Sequence, residues 1–342
     1  MGAGDWNDGM DRVGEKGRGR SIWLAWFLIA TIRGFLDLCA RAGREDLARP
    51  WPPRMAALAA AVEAAGWDGA WYLRAIDDDG LPWGSAANNE CRIDSIAQSW
   101  AVIAGAADPA RARSAMTEAR RQLMRPDDRL SRLLWPPFDA TPRDPGYIKA
   151  YPPGVRENGG QYSHAAAWMG VAFAALGDGD AAKEAFDRLN PILHAATRAD
   201  AGRYLTEPYA MAADIAGAPP HVGRGGWTWY TGAAGWTWRL GVEHILGLRL
   251  EEGALRLAPC LPTGWDGFEA RLMRDGGVIE VRVERGDGGL QVDGAAWPLD
   301  RPIPFPPVGT TLHARLRLGV ERPDDRQQRD ADDDDKQFER QT

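Results

Sequence analysis

The sequence predicts a mainly α-helical domain followed by a small antiparallel β module. Apolar residues recur every three or four positions from Ser21 to about Gly247, which is the period of helices with a buried face. After Gly247, apolar and polar residues alternate in short runs set between Gly and Pro turns, which indicates β-strands. A chain of 342 residues is long enough for both parts.

The helical part comprises about seven helices, separated by loops rich in Pro, Gly and Trp. Loops of alternating length join the helices in pairs, and no unit repeats at the spacing of a solenoid, so a toroid is the favoured architecture. Long ordered loops at one rim of such a fold usually carry function. After a first apolar run closed by Arg33, the helical stretches lie at 55–65, 93–103, 110–124, 161–176, 181–195 and 233–246.

The β module is predicted from five short runs with a period of two. These runs are Ala254–Leu257, Phe268–Leu272, Val278–Val283, Leu290–Val292 and Thr311–Leu318. The predicted domain boundaries are 1–247 for the partial toroid and 248–320 for the β module. Residues 321–342 are almost all charged or polar, so we expect a disordered acidic tail there.

Composition and spacing exclude several classes of function. The net charge of 41 − 48 = −7 provides no basic surface for nucleic acid. The five histidines show neither HxxxH nor HxH spacing, so no metal site is expected, and a GxSxG elbow is absent. Three widely spaced cysteines and the lack of a secretion signal predict a cytoplasmic protein. The longest apolar run, 22–32, is shorter than a membrane span.

Tryptophan is unusually frequent, with 16 Trp against 7 Tyr and 8 Phe. Sugar rings pack on flat aromatic faces, so this usage suits a protein that binds carbohydrate. A tryptophan-rich core would give the same count. Composition alone leaves both interpretations open.

Residues 4–10, GDWNDGM, place two carboxylates, an amide and an indole between glycines. Asp and Asn in this setting often cap a turn. In the functional interpretation, one Asp protonates a leaving oxygen beside Trp6, and partial burial against the indole keeps that carboxyl protonated near neutral pH.

Two later stretches each open a predicted helix behind a glycine-rich loop. In ENGGQYSHAAAW (157–168), His164 falls in the first helical turn, and in GRGGWTWYTGAAGW (223–236), Thr231 and Gly232 begin the helix. A helix N-terminus attracts anions through its free N–H groups and its dipole. The alternatives are a histidine packed beside Trp168 and a threonine that caps its own helix.

Together these loops offer one acid, two anion-binding helix starts and several indoles, but no second catalytic base. An inverting glycosidase needs a base that activates water. Inorganic phosphate as the nucleophile brings its own charge and needs only a pocket. The set therefore matches an inverting phosphorylase, with phosphate as co-substrate and no cofactor.

In this order, the three stretches resemble glycoside hydrolase family 94, the inverting phosphorylases of β-linked glucosides. Residues 93–105, 144–168 and 206–215 resemble in particular the C-terminal phosphorylase-like domain of cyclic β-1,2-glucan synthases. The resemblance implies a partial (α/α)6 barrel followed by a β module. It also implies that Asp8 is the general acid. The implied sugar contacts are Trp6, Asn7 and Glu157, and the implied phosphate ligands are His164, Thr231 and Gly232.

The implied reaction is inverting phosphorolysis of a β-linked glucan, with β-1,2 the favoured linkage, to α-glucose 1-phosphate. The implied partners are a β-glucan oligosaccharide and phosphate. The chain departs from the family because Asp8 lies close to its start rather than in mid-barrel, so we interpret it as the C-terminal part of a larger enzyme. A cellobiose- or chitobiose-type phosphorylase, a non-catalytic sugar-binding remnant and a purely structural toroid stay open. A homodimer, and a membrane anchor elsewhere in the longer protein, also stay open.

Overall fold

The structure is a computed structural model that describes residues 1–2 and 4–319. The chain divides into two units, Met1–Ile245 and a second that begins at Leu246. Helices dominate the first unit and strands the second. The acidic tail predicted at 321–342 lies outside the described residues.

Helices form the body of the first unit. Short 3-10 turns cover Asp8–Met10 and Tyr147–Ala150, and a π-helix, Leu240–Ile245, ends the unit. The α-helices of the described residues are α1 Ile22–Arg41, α2 Glu45–Ala48, α3 Trp51–Ala65, α4 Ser95–Ala104, α5 Pro109–Leu123, α6 Ser163–Ala175, α7 Gly179–Leu189, α8 Pro191–His194, α9 Arg198–Tyr204 and α10 Thr231–Arg239.

Two-residue strands fix the loops between these helices. They are β1 Arg20–Ser21, β2 Ala75–Ile76, β3 Pro82–Trp83, β4 Ile93–Asp94, β5 Met124–Arg125, β6 Leu130–Ser131, β7 Leu134–Trp135, β8 Gln161–Tyr162 and β9 Asp214–Ile215. All of them pair antiparallel, as the sheet β1-β2-β3 and the pairs β4-β7, β5-β6 and β8-β9. Several of these pairs lie immediately before a helix and so set where it begins.

The core of the first unit lies where α1, α4, α6 and α7 pack against one another. Helix α6 is apolar all round, and its residues 165–173 are all buried, as expected of a central helix. Helix α1 places Trp26 and Ile29 in this core without exposure to solvent. The core therefore contains several tryptophans, in agreement with the interpretation that part of the tryptophan content belongs to a tryptophan-rich core.

Helix α1 is longer than its sequence suggested. It continues past Arg33 to Arg41, and its 20 residues are long and apolar enough to cross a membrane by length and composition alone. The length argument made from residues 22–32 was therefore wrong. Trp26 and Ile29 are buried in the core, but only 33% of the apolar window of α1 is buried, and Leu24, Leu28 and Leu38 are exposed. One such helix near the N-terminus is weak evidence for a span, so no membrane span is evident among the described residues.

Two helix boundaries differ from the sequence prediction for local reasons. The stretch 181–195 is divided into α7 and α8 because Pro191 lacks the N–H that a continuous helix needs. Helix α6 begins at Ser163 rather than at Gln161, because Gln161 and Tyr162 pair with Ile215 and Asp214 as strands.

The second unit is built from strands that alternate buried and exposed side chains. In its longest strand, Ile279, Val281 and Val283 are buried while Glu280 and Arg282 are exposed. The strands are β10 Leu248–Glu251, β11 Ala254–Leu257, β12 Gly267–Arg274, β13 Gly277–Arg285, β14 Gly289–Val292, β15 Ala295–Trp297, β16 Ile303–Pro304 and β17 Thr311–Leu318.

These strands form a three-stranded sheet, β10-β11-β16, and a five-stranded sheet, β12-β13-β17-β14-β15. The prediction of a purely antiparallel module was wrong at one pairing, because β13 and β17 run parallel. Strand β17 follows the β14-β15 hairpin and inserts between β13 and β14, so it meets β13 in the parallel direction.

Candidate active site

The loop that carries the predicted acid is anchored by a buried ion pair. Asp5 and Arg74 pair with no exposure of either side chain. The Asp5 carboxylate also accepts hydrogen bonds from the Ser21 hydroxyl at 2.7 Å and from the backbone N–H of Asn7 at 3.1 Å. A carboxylate so occupied holds the loop in place and is not free to protonate a substrate.

Arg74 serves two buried carboxylates. Its Nε lies 3.3 Å from Oδ2 of Asp94, on the other side from Asp5. Burial raises the pKa of Asp94 to about 6, although the positive charge of Arg74 opposes this rise. The side chain of Asp94 also caps α4 by accepting from the N–H of Ile96 at 2.9 Å. The acid loop is thus connected to the start of a core helix.

Trp6 connects the acid loop to α6. Its indole N–H donates to Nδ1 of His164 at 3.4 Å. The ring also lies edge-on to Tyr162, with centroids 5.2 Å apart, and 5.3 Å from the ring of Trp168. The half-buried indole therefore takes part in an aromatic cluster with the helix that carries the predicted phosphate ligand.

Asn7 and Asp8 occupy different surroundings despite being adjacent. Asn7 is fully buried, and neither its amide nitrogen nor its amide oxygen has a hydrogen-bond partner. Asp8 is exposed at the start of a 3-10 turn and hydrogen-bonds with Tyr147, so the expected partial burial of the acid was wrong. Partial desolvation of the phenol, together with that hydrogen bond, raises the pKa of Tyr147, so the phenol keeps its proton and donates a hydrogen bond to Asp8.

His164 is the second residue of α6, in the first helical turn as the sequence predicted. Burial lowers its pKa to about 4, so the imidazole is neutral near pH 7. A neutral ring that accepts at Nδ1 carries its proton on Nε2. That Nε2 is buried and has no hydrogen-bond partner. The residue thus offers an uncharged, unpaired donor.

A pocket of about 470 Å³ lies along one face of α10 and includes His164. Of the positions that α10 and the π-helix contribute, all except Trp238 are spaced so that they share one helical face. A Cβ added at Gly232 or Gly235 would meet no atom within 4 Å, so these glycines keep the pocket open. The lining residues are His164, Gly232, Gly235, Trp236, Trp238, Arg239 and Glu243.

Arg239 brings positive charge to this pocket. Its guanidinium lies 4.7 Å from the ring centroid of Trp236, and its Nε is 2.7 Å from Oε2 of Glu243. The Trp236 ring is 6.1 Å from the ring of His164. The pocket therefore combines a neutral donor, an arginine paired with a glutamate, and an indole wall.

Thr231 is the first residue of α10 and is exposed. The residue before it, Tyr230, holds the N-cap position, and no side chain caps this helix, so the threonine is not its cap. The phenols of Tyr230 and Tyr162 hydrogen-bond with each other. This contact ties the start of α10 to the start of α6.

Glu157 is buried and paired. Its Oε2 lies 3.3 Å from Nε of Arg156, whose backbone N–H donates to Oδ2 of Asp214 at 2.9 Å. Burial first, and then the charge of Glu157, raise the pKa of Tyr162. Glu157 is thus part of the charged surroundings of the aromatic cluster.

The structure brings some of the predicted residues into contact with each other and gives others different partners. Trp6 contacts His164, and His164 shares a pocket with Gly232, whereas Asp8 contacts Tyr147 and Glu157 contacts Arg156. Sequence reasoning missed the buried partner of Asp5, the partner of Asp8 and the cation of the pocket, which are Arg74, Tyr147 and Arg239. A signal existed for Tyr147, since it lies in the family-like stretch 144–168. Among residues 1–2 and 4–319, no group of three or more His, Cys, Asp or Glu side chains could hold a metal ion.

Two family models match successive parts of the chain. Residues 1–247 match the catalytic domain of the glycosyl hydrolase 94 superfamily, and residues 248–300 match the C-terminal domain of glycosyl hydrolase family 65. The chain is 52% identical to the cyclic beta-(1,2)-glucan synthase NdvB of Rhizobium meliloti, over 82% of this chain and 10% of the synthase. It is 33% identical to the solabiose phosphorylase of Paenibacillus borealis, over 83% of this chain and 35% of that enzyme.

A solved structure named sialidase shares the fold with a TM-score of 0.54 at 14% sequence identity, over 79% of this chain and 24% of that one. The chain spans about a tenth of the synthase and about a third of the phosphorylase. The family match covers more than two thirds of the chain and includes every residue of the candidate site. The chain belongs to the glycosyl hydrolase 94 family.

Proposed function

We propose that this chain carries the acid and the phosphate site of an inverting β-1,2-glucan phosphorylase. The observation that carries the proposal is the unpaired Nε2 of His164 in a pocket shared with Gly232. The other ring nitrogen of His164 accepts a hydrogen bond from Trp6 of the acid loop. The relative with 52% identity is a cyclic beta-(1,2)-glucan synthase, which supports the β-1,2 linkage. The products are α-glucose 1-phosphate and a glucan shortened by one residue.

In the proposed reaction, a phosphate oxygen attacks the anomeric carbon of the terminal glucose while the glycosidic C–O bond breaks. Asp8 gives its proton to the departing glycosidic oxygen, and configuration inverts because attack and departure occur on opposite faces. Tyr147, which hydrogen-bonds with Asp8, orients the carboxyl. The buried Asp5 holds the loop and takes no part in proton transfer.

Phosphate is proposed to lie in the pocket beside α10. The proton on Nε2 of His164 donates to one phosphate oxygen, and Thr231 and Gly232 donate from the first turn of α10, where the helix dipole favours an anion. Arg239 supplies the positive charge that a neutral histidine lacks, and it turns from Glu243 towards the phosphate when the anion binds. Trp6 and Glu157 remain the proposed sugar contacts, and no cofactor is required. The sequence also predicted a sugar contact at Asn7, but its side chain is fully buried, so we assign it to the support of the acid loop.

Two other functions have specific support. A disaccharide phosphorylase is favoured by the 33% identity to a solabiose phosphorylase, although the higher identity to the synthase favours the longer glucan. A sugar-binding domain without activity is favoured by the exposure of Asp8 and by the small share of its relatives that the chain spans. In the proposed arrangement, α1–α10 are part of an (α/α)6 toroid within a longer cytoplasmic enzyme.

The direct test is formation of α-glucose 1-phosphate from linear β-1,2-glucan oligosaccharides and inorganic phosphate. The chain is assayed alone and joined to the upstream sequence of its relative from Rhizobium meliloti, with β-1,4 and β-1,3 oligosaccharides as substrate controls. Phosphate-dependent product with the β-1,2 substrate is the expected result. Glucan binding without product in both forms would favour the sugar-binding domain, and product from disaccharides alone would favour the second phosphorylase class.

A further inference from the structure

Three aromatic side chains in the loops before α10 are exposed although they are large and apolar. Tyr209, Trp227 and Trp229 are 74%, 70% and 65% exposed. Single exposed apolar residues are ordinary on protein surfaces. Three aromatic rings on two neighbouring loops need a specific explanation, because each leaves a wide flat face in water.

Backbone hydrogen bonds place these loops side by side. The N–H of Ala213 donates to the carbonyl of Trp227 at 2.5 Å, and the N–H of Tyr230 donates to the carbonyl of Met211 at 3.1 Å. Residues 227–230 therefore lie along the segment 211–213, which is continuous with strand β9. The aromatic residues stand on a fixed backbone that leads directly into Thr231.

Trp229 adopts a backbone conformation that bulky residues rarely adopt. Its φ is +59°, in the left-handed region where glycine is favoured. Strained residues of this kind cluster at ligand sites, where the surrounding structure holds them in place. Here the indole ring lies 6.0 Å from the ring of Tyr209, in an edge-on arrangement.

A carboxylate lies at the edge of this aromatic pair. Oε1 of Glu207 accepts from the indole N–H of Trp229 at 3.4 Å. Hydrogen bonds from its own backbone N–H, from Thr228 and from Trp229 lower the pKa of Glu207, so the group is ionised near neutral pH. An ionised carboxylate with free lone pairs accepts hydrogen bonds from neutral hydroxyl groups.

We propose that Glu207, Tyr209 and Trp229 form a carbohydrate-binding platform for the part of the glucan chain that lies beyond the bond being cleaved. The proposal rests on the proposed function for the direction of the chain, but the platform itself is a binding site. The apolar C–H face of a glucose ring packs on the two aromatic rings, and its hydroxyl groups donate to Glu207.

The composition of the platform favours a neutral sugar over other ligands. The negative charge of Glu207 repels phosphate and nucleic acid. Aromatic residues are also enriched at protein–protein interfaces, but charged residues are depleted at the centres of such interfaces, whereas here the two aromatic rings flank an ionised carboxylate. Trp227 lies beside the platform with its ring 5.2 Å from the guanidinium of Arg156, which links the platform to the segment of Glu157.

The test measures binding of β-1,2-glucan oligosaccharides of increasing length to the chain by titration calorimetry. The indole N–H signals in ¹H–¹⁵N spectra are followed in parallel, and the Trp229 signal is assigned by its loss in Trp229→Phe. Trp229→Ala and Tyr209→Ala should each weaken binding of the longer oligosaccharides by about five- to thirtyfold, as loss of an aromatic anchor does. Binding of inorganic phosphate should not change.

Trp265→Ala is the matched control, because Trp265 is an exposed tryptophan of the second unit and should leave glucan binding unchanged. Trp229→Phe keeps a ring and should retain part of the affinity.

Unchanged affinity for long oligosaccharides in Trp229→Ala, or no binding of any glucan to the unmodified chain, would overturn the platform. Phosphorolysis with an unchanged length dependence in Trp229→Ala would overturn the platform and leave the proposed function standing. If Trp229→Ala weakened glucan binding but the unmodified chain formed no glucose 1-phosphate, the platform would stand and the proposed function would fail.

Discussion

The indole N–H of Trp6 lies 3.4 Å from Nδ1 of His164, although 158 positions separate the two residues in the chain. This contact joins the loop of the proposed acid to the helix of the proposed phosphate ligand. It also sets the tautomer of His164, since a ring that accepts at Nδ1 carries its proton on Nε2. The following predictions depend on this arrangement and on the different surroundings of Asp5 and Asp8.

Asp8→Asn should abolish phosphorolysis and spare both glucan binding and stability. Loss of a general acid costs about 10² to 10⁴ in rate. Initial rates of glucose 1-phosphate formation and the urea midpoint are measured together. Asp79→Asn, which changes an exposed carboxylate of another loop, is the control and should retain its rate. Near-normal turnover in Asp8→Asn would remove the residue from this role.

Arg74→Met should destabilise the first unit by about 3 to 5 kcal/mol, because it leaves two buried carboxylates without a cation. Asp5→Asn should also lower the urea midpoint, in contrast to Asp8→Asn. The measurement is equilibrium urea unfolding followed by fluorescence. If Asp5→Asn lost activity at full stability, Asp5 would be the acid rather than the anchor.

His164→Ala should raise the phosphate concentration needed for half-maximal rate far more than the glucan concentration, because only the anion loses a donor. In the unmodified enzyme, protonation of His164 should not alter this constant between pH 6 and 8, since its pKa is about 4. The measurement is the phosphate dependence of the rate at several pH values. An equal effect of the variant on both substrates would place His164 outside the phosphate site.

The same lowered pKa predicts an acid sensitivity of the fold. The unfolded chain binds a proton at His164 as pH falls below about 6.5, whereas the folded chain does so only near pH 4. The free energy of unfolding should therefore fall across this window, by roughly 3 kcal/mol at most. His164→Gln should reduce this loss and His313→Gln should not, because His313 is exposed. The raised pKa of Asp94 makes the folded chain more stable as pH falls, which opposes the effect of His164. Comparing the variants with the unmodified chain isolates the contribution of His164.

Gly232→Ala should weaken phosphate binding while keeping or raising stability. The added methyl group meets no protein atom within 4 Å, so it occupies pocket space, and alanine is the better helix former by about 1 kcal/mol. Gly202→Ala in α9 is the matched control, because it also meets nothing within 4 Å but lies away from the pocket. Calorimetric titration with phosphate and thermal unfolding separate the two effects. A destabilised Gly232→Ala with normal phosphate affinity would contradict the pocket.

The sequence predicted local features well and distant contacts poorly. Strands β11 and β17 coincide with the predicted runs, because alternation of side chains is visible within a few residues. The place of His164 in the first turn of α6 follows from the glycines before it. The break between α7 and α8 at Pro191 is also a local feature, because proline lacks the N–H that a continuous helix needs, although the helical period alone does not show it.

Other missed features depend on contacts that a local pattern does not contain. Arg74 lies 69 positions from Asp5, and no local period marks the pair. The exposure of Asp8 could not be inferred from the same loop, because Asp5 and the adjacent Asn7 are buried. The parallel direction of β17 depends on which strand it joins, and alternation within a strand carries no such information.

Residues 5–8 also set a condition for protein engineering. Within four consecutive positions the chain holds a buried anchor, a contact to α6, a buried amide and an exposed carboxylate. Transplanting residues 4–10 into another helical scaffold would leave Asp5 without its guanidinium and Trp6 without its imidazole. A working graft must therefore carry Arg74 and His164 with it, and the smallest transferable module is the loop together with the ends of two distant segments.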